Sequence, residues 1–133
     1  MHPIRVGLVG TGYAAKVRAE SLQADARAQL VAVAGHTIDK ARSFSEAYAA
    51  QPAASWMELV NRAELDLLVI ATINRDHGPI ARAALQAGKH VVVEYPLLVL
   101  VFRCCCLFLR YSPALDNLEA VHSQHQYFAN RWQ

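Results

Sequence analysis

Gly10-Thr11-Gly12-Tyr13-Ala14-Ala15 forms a G-x-G-x-x-A loop, preceded by the apolar run 4–9 and followed by an alanine-rich segment. Strand, glycine loop and helix in that order are the setting in which such a loop binds a dinucleotide. Gly10 permits the tight turn, Gly12 lets the backbone approach a pyrophosphate, and Ala15 is small enough for helix and strand to pack closely. The phosphates would rest on free N–H groups at the helix N-terminus, where the dipole favours negative charge. The bland alternative is a loop that merely turns between a strand and a helix.

The other reactive residue types carry weaker signals. Cys104, Cys105 and Cys106 are consecutive, which is neither a disulfide framework nor a C-x-x-C pair. His122 and His125 share a helical spacing but lack an obvious third ligand, so a solvated helix face is the better reading and no metal site is expected.

Composition sets the class. The chain has 133 residues, 54% of them hydrophobic and 18% charged, which describes one globular domain with a sizeable core. A net charge of +2 is too small to argue for nucleic acid or a membrane surface. The sequence enters its first strand directly after Met1-His2-Pro3, so no signal peptide is expected and a cytoplasmic location is.

The elements that must position the loop alternate in type, as in a parallel sheet covered on both faces. A helix is expected over 13–24 and a second strand over 29–34. Thr37 is placed to cap a helix with Ala41, Phe44 and Tyr48 on one face. Ser55 and Glu58 form a capping box, and 67–71 is a continuous apolar run suited to a buried strand. Pro79 fits the first turn of the next helix, Ile80, Ala84 and Ala87 line its face, and Gly88 ends it. A further strand covers 91–93.

The character changes beyond that strand. Residues 97–109 carry a single charge, Arg103, and the stretch falls short of the ~20 residues that cross a bilayer. A polar, helix-compatible segment follows over 112–133. The expected division is a dinucleotide-binding domain over 1–97, an apolar segment over 98–109 and the polar segment.

Three segments are more specific than the glycine loop: Ala71-Thr72-Ile73-Asn74-Arg75-Asp76-His77, Ala87-Gly88-Lys89-His90-Val91 and Glu94-Tyr95-Pro96-Leu97. Over residues 4–97 the chain resembles the glucose–fructose oxidoreductase, inositol dehydrogenase and MocA (Gfo/Idh/MocA) family of nicotinamide-dependent oxidoreductases. Their N-terminal domains carry A-T-P-N-x-x-H, A-G-K-H-V and, closing the fifth strand, E-K-P. Ile73 replaces the proline of the first motif and Tyr95 the lysine of the last. With those departures the pattern is similar to the biliverdin reductase branch, particularly the cyanobacterial type.

The resemblance implies a Rossmann-type doubly wound α/β sheet, here incomplete, with the family's C-terminal substrate domain absent. It also implies that Gly10, Thr11, Gly12, Tyr13 and Ala14 contact the pyrophosphate. Ala71, Thr72, Ile73 and Asn74 would line the nicotinamide ribose, with His77 close by. Glu94 and Tyr95 would lie beside the nicotinamide, Tyr95 as a possible proton donor. Asn74 and His77 could instead cap a helix, and Tyr95 could be packing.

An acid at the end of the second strand would hold the ribose of NAD, but Gly35 occupies that position. NADPH is therefore preferred and NAD possible, with His36, Thr37, Lys40 and Arg42 near a 2′-phosphate. In such relatives hydride passes from NADPH to biliverdin, so a bilin is a partner only where the site is completed. The tail does not resemble the family continuation, and a truncated or frame-shifted chain with little activity alone is expected. A non-catalytic nucleotide-binding fragment and a product that does not fold are the alternatives. A methyltransferase would leave the A-T-I-N and E-Y-P segments unexplained.

Overall fold

The computed structural model describes residues 2–94. Tyr95, the apolar segment, the cysteine triplet and the polar segment with its histidines lie outside the described residues. The order is β1 (Ile4–Val9), α1 (Tyr13–Gln23), β2 (Ala28–Ala34), α2 (Ile38–Ala47), β3 (Gln51–Ala53), α3 (Trp56–Asn61), β4 (Leu67–Ile70), α4 (Asn74–Gln86) and β5 (His90–Val93). Every strand pair is parallel. The sheet order is β3-β2-β1-β4-β5, so the chain winds outward from β1 in both directions. This is the Rossmann-type doubly wound α/β sheet expected from the sequence.

Two cores sandwich the sheet. Leu59 and Val60 of α3 and Ile80, Ala81 and Ala84 of α4 pack with Leu68 and Ile70. On the other face Ala15 and Ala19 of α1 pack with Val6, Leu8, Val33 and Val69, and Phe44 and Tyr48 close that side. Burial on both faces explains the uninterrupted apolar run in β4. No helix among the described residues is long and apolar enough to cross a membrane.

Local chemistry fixes the boundaries. Thr37 Oγ1 accepts from Lys40 N at 3.3 Å and caps α2. Ser55 Oγ accepts from Glu58 N at 3.3 Å, while the Glu58 carboxylate reaches one residue beyond the usual capping box and accepts from Ala54 N at 2.8 Å. Gly88 takes a φ of 75° just past α4, the left-handed stop its position predicts.

Three details differ from the sequence reading. The third strand, β3, has only three residues and includes Pro52, too short and too interrupted for an alternating pattern to register. Helix α4 begins at Asn74, so Pro79 is its sixth residue and lies inside the helix. Pro79 has no N–H for the Arg75 carbonyl, but both residues are exposed and water can serve that oxygen. Ala87 is the exposed C-cap of α4, and Ala81 takes its expected place on the buried face.

Candidate cofactor site

The site lies where the carboxyl ends of β1, β2, β4 and β5 meet the helix N-termini. Gly10 has a φ of 126°, and a β-carbon there would stand 2.3 Å from the Ala71 carbonyl oxygen. The loop after β1 therefore lies against the end of β4, tied by Ala71 N donating to Val9 O at 2.8 Å. Ala15 is fully buried and Gly12 is exposed. A β-carbon on Gly12 would meet nothing within 4 Å. The backbone is thus crowded at Gly10 and open at Gly12, as a loop that admits a ligand from one side must be.

The caps divide the helices into two kinds. Helices α2 and α3 close their N-termini with Thr37 and Ser55. Helices α1 and α4, flanking the Gly10–Ala71 contact, begin at Gly12 and Ile73 with no side-chain cap. The first turn of α1 also contains no acid. Its N–H groups and dipole face outward without a built-in anion, which suits a pyrophosphate.

A groove of about 910 Å³ opens beside this loop. Thr11, Gly12, Tyr13 and Lys16 form one side, and His36, Asp39, Lys40, Ser43, Phe44, Ala47 and Tyr48 the other. Gly35 sits at its root: a β-carbon there would lie 3.0 Å from Thr11 Cγ2 and 3.0 Å from Ala41 N. The loop after β2 is thus pressed against the glycine loop where relatives that bind NAD through a ribose-holding acid would carry that acid. His36, Lys40 and Lys16 supply cationic or hydrogen-bonding groups, and Asp39 is engaged by Arg42 at 3.7 Å.

The expected residues therefore fall into two groups. Gly10, Thr11, Gly12, Tyr13 and Ala14 gather around the start of α1, with His36 and Thr37 on the adjoining loop. Tyr13 is 84% exposed, so its ring has no packing role in the domain. Ala71, Thr72, Ile73, Asn74 and Glu94 occupy the ends of β4 and β5, away from the groove. Asn74 opens α4 as a helical residue and does not cap it.

His77, expected close to the nicotinamide ribose, is 1% exposed in the structure. Its Nε2 donates to the Thr72 carbonyl at 2.9 Å. That contact reaches a ligand only through the loop it steadies.

Two contributors were missed in the sequence. Lys16 lines the groove because it stands one helical turn beyond Gly12, a spacing that was legible. Arg18 pairs through Nε with the Glu94 carboxylate. That contact spans 76 positions and has no local signal. Glu94, backed mainly by this hydrogen bond, holds the Arg18 guanidinium above its ordinary pKa. Among the described residues no group of three His, Cys, Asp or Glu side chains could hold a metal.

The family model described as an oxidoreductase family with an NAD-binding Rossmann fold matches residues 4–105. The chain belongs to the Gfo/Idh/MocA oxidoreductase family. The match runs past Leu97, where the resemblance read from the motifs ended. A crystal structure of biliverdin reductase from Synechocystis sp. PCC 6803, in complex with biliverdin and NADP+, is 55% identical with a TM-score of 0.68. That alignment covers 71% of this chain and 30% of the reductase. A 3-ketoreductase from Actinomadura kijaniata, in complex with NADP and TDP-benzene, is 31% identical with a TM-score of 0.69, over 72% of this chain and 30% of its own. An uncharacterized oxidoreductase of Escherichia coli, YdgJ, is 41% identical over 96 residues, 72% of this chain and 28% of that protein. The chain thus spans about three tenths of the length of these relatives.

Proposed function

We propose that residues 2–94 form the NADPH-binding domain of a biliverdin reductase-type oxidoreductase. The observation that carries this reading is the open, uncapped N-terminus of α1 at Gly12, beside a groove bearing Lys16, His36 and Lys40 and no acid at position 35. The 55% identity to a biliverdin reductase supports the choice within the family.

In this reading the first turn of α1 holds the pyrophosphate, and His36, Thr37 and Lys40 face the adenosine ribose and its 2′-phosphate. Ala71, Thr72, Ile73 and Asn74 support the nicotinamide ribose, and Glu94 flanks the ring. When bound, the cofactor supplies hydride, and the chain's part is to bind and orient it. His77 contributes by fixing the Thr72 carbonyl.

Because the relatives are about three times as long as the region matched, we expect this chain alone to bind cofactor and turn over little or no bilin. A site walled on one side neither excludes water nor orients a second substrate. A non-catalytic nucleotide-binding module is the second reading, favoured by that same partial span.

Titration of the purified chain with NADPH and NADH, followed by nicotinamide fluorescence, tests the proposal. Saturable binding, tighter for NADPH, is expected. A folded chain that binds neither would overturn it. Bilin turnover by the chain alone would overturn the claim that the rest of the site is needed.

A further inference from the structure

We infer that Arg18 is a positioning residue that sets the oxidation state of nicotinamide the site prefers, by neutralising Glu94 at the end of β5. The inference rests on the cofactor reading above and deepens it.

The groove lies on the β2 side of the glycine loop, and the pyrophosphate position lies at β1. With strands ordered β3-β2-β1-β4-β5, a dinucleotide with its adenosine in that groove must lay its nicotinamide half over the ends of β4 and β5. Glu94 stands at that end of β5. Its backbone N donates to Ile70 O at 2.9 Å, so the register with β4 holds up to this residue.

The Glu94 side chain is 21% exposed, and the Arg18 side chain that it meets is 46% exposed. On α1 Lys16 lies 3.9 Å from Glu20, and on α4, the helix before β5, Arg75 lies 3.5 Å from Asp76. The Glu94 carboxylate, joined to Arg18, stands just past the end of β5, on the side proposed for the nicotinamide.

Oxidised nicotinamide carries a positive ring charge and the reduced ring is neutral. A bare carboxylate beside the ring favours the oxidised form, and a bare guanidinium favours the reduced one. The ion pair cancels both effects and leaves the site close to even-handed. Arg18 does this from α1, with no contact to the cofactor required.

The test is the ratio of dissociation constants for NADP+ and NADPH, with NADPH followed by fluorescence and NADP+ by calorimetry. Arg18→Met should lower the ratio Kd(NADP+)/Kd(NADPH) roughly fivefold, the size of effect expected of a half-solvated unit charge near the ring. Glu94→Gln should raise it, the double variant should return it near the wild-type value, and Arg18→Lys should preserve it. A merely structural ion pair would weaken both forms alike and leave the ratio unchanged, which overturns the inference while cofactor binding stands. Wild-type chain that binds neither form overturns the cofactor reading and this inference together.

Discussion

Gly10 and Gly12 are two residues apart, and the structure assigns them opposite sensitivities. At Gly10 a methyl group combines a φ of 126° with a β-carbon 2.3 Å from the Ala71 carbonyl oxygen. Backbone strain of ~1–3 kcal/mol and overpacking of ~1–3 kcal/mol together give ~2–6 kcal/mol of lost stability. That is a large part of the ~5–15 kcal/mol typical of a domain. With an m-value near ~1.5 kcal/mol per M, the urea midpoint of Gly10→Ala should fall by roughly 1–4 M.

Gly12 is extended, with φ −87° and ψ −169°, and has free space around the site of its missing β-carbon. Alanine is a poorer N-cap, but it restricts the unfolded chain, so the two effects nearly cancel to within ~1 kcal/mol. In the proposed cofactor site the methyl group instead stands where the pyrophosphate approaches. Losing one or two charge-assisted hydrogen bonds weakens binding by ~2–3 kcal/mol, roughly 30- to 150-fold in Kd. Urea unfolding and NADPH titration on the same two variants provide the comparison. A Gly12→Ala chain that unfolds far earlier than wild type, or binds NADPH equally well, would refute this division of labour.

Lys89 is 7% exposed, and its Nζ donates to the carbonyls of Arg62 and Leu65 at 2.6 and 2.9 Å; Lys89→Met should cost ~2–4 kcal/mol in urea unfolding by stranding both oxygens. The His77→Phe variant keeps an apolar ring in the buried site but loses the bond to the Thr72 carbonyl, and should lose ~1–3 kcal/mol in the same measurement. Glu58 accepts from Ala54 N and from Arg62, and these bonds hold its pKa below the ordinary value of 4.5. Its contribution is therefore fully present above pH 4.5 and lost as pH falls through the lowered folded value. Glu58→Gln should flatten that acid limb in stability measured against pH.

The glycine loop, the caps at Thr37 and Ser55 and the buried run of β4 were legible because each is decided by neighbours within a few residues. Such local chemistry survives in a bare sequence. The start of α4 was not legible: Pro79 invites a helix start, whereas the first turn forms five residues earlier, at Asn74, soon after β4 ends at Ile70. β3 was missed because its three residues form a strand through pairing with Ala32–Ala34, a long-range cause. In the site, the motifs located the ends of β1, β4 and β5, but the burial of His77 and the reach of Arg18 to Glu94 depend on tertiary packing.

The three-residue β3 also gives the sheet a direction of growth. Pro52 sits on that edge strand and cannot donate a ladder hydrogen bond, so the β3 margin resists further pairing. At the opposite margin β5 contains no proline, and its outer edge pairs with no strand among the described residues. Val92 there is 46% exposed. Among the described strands, the β5 edge is the favourable place for an added strand to join, whichever polypeptide supplies it. Growth of this sheet is thus directional, open beside β5 and blocked beside β3.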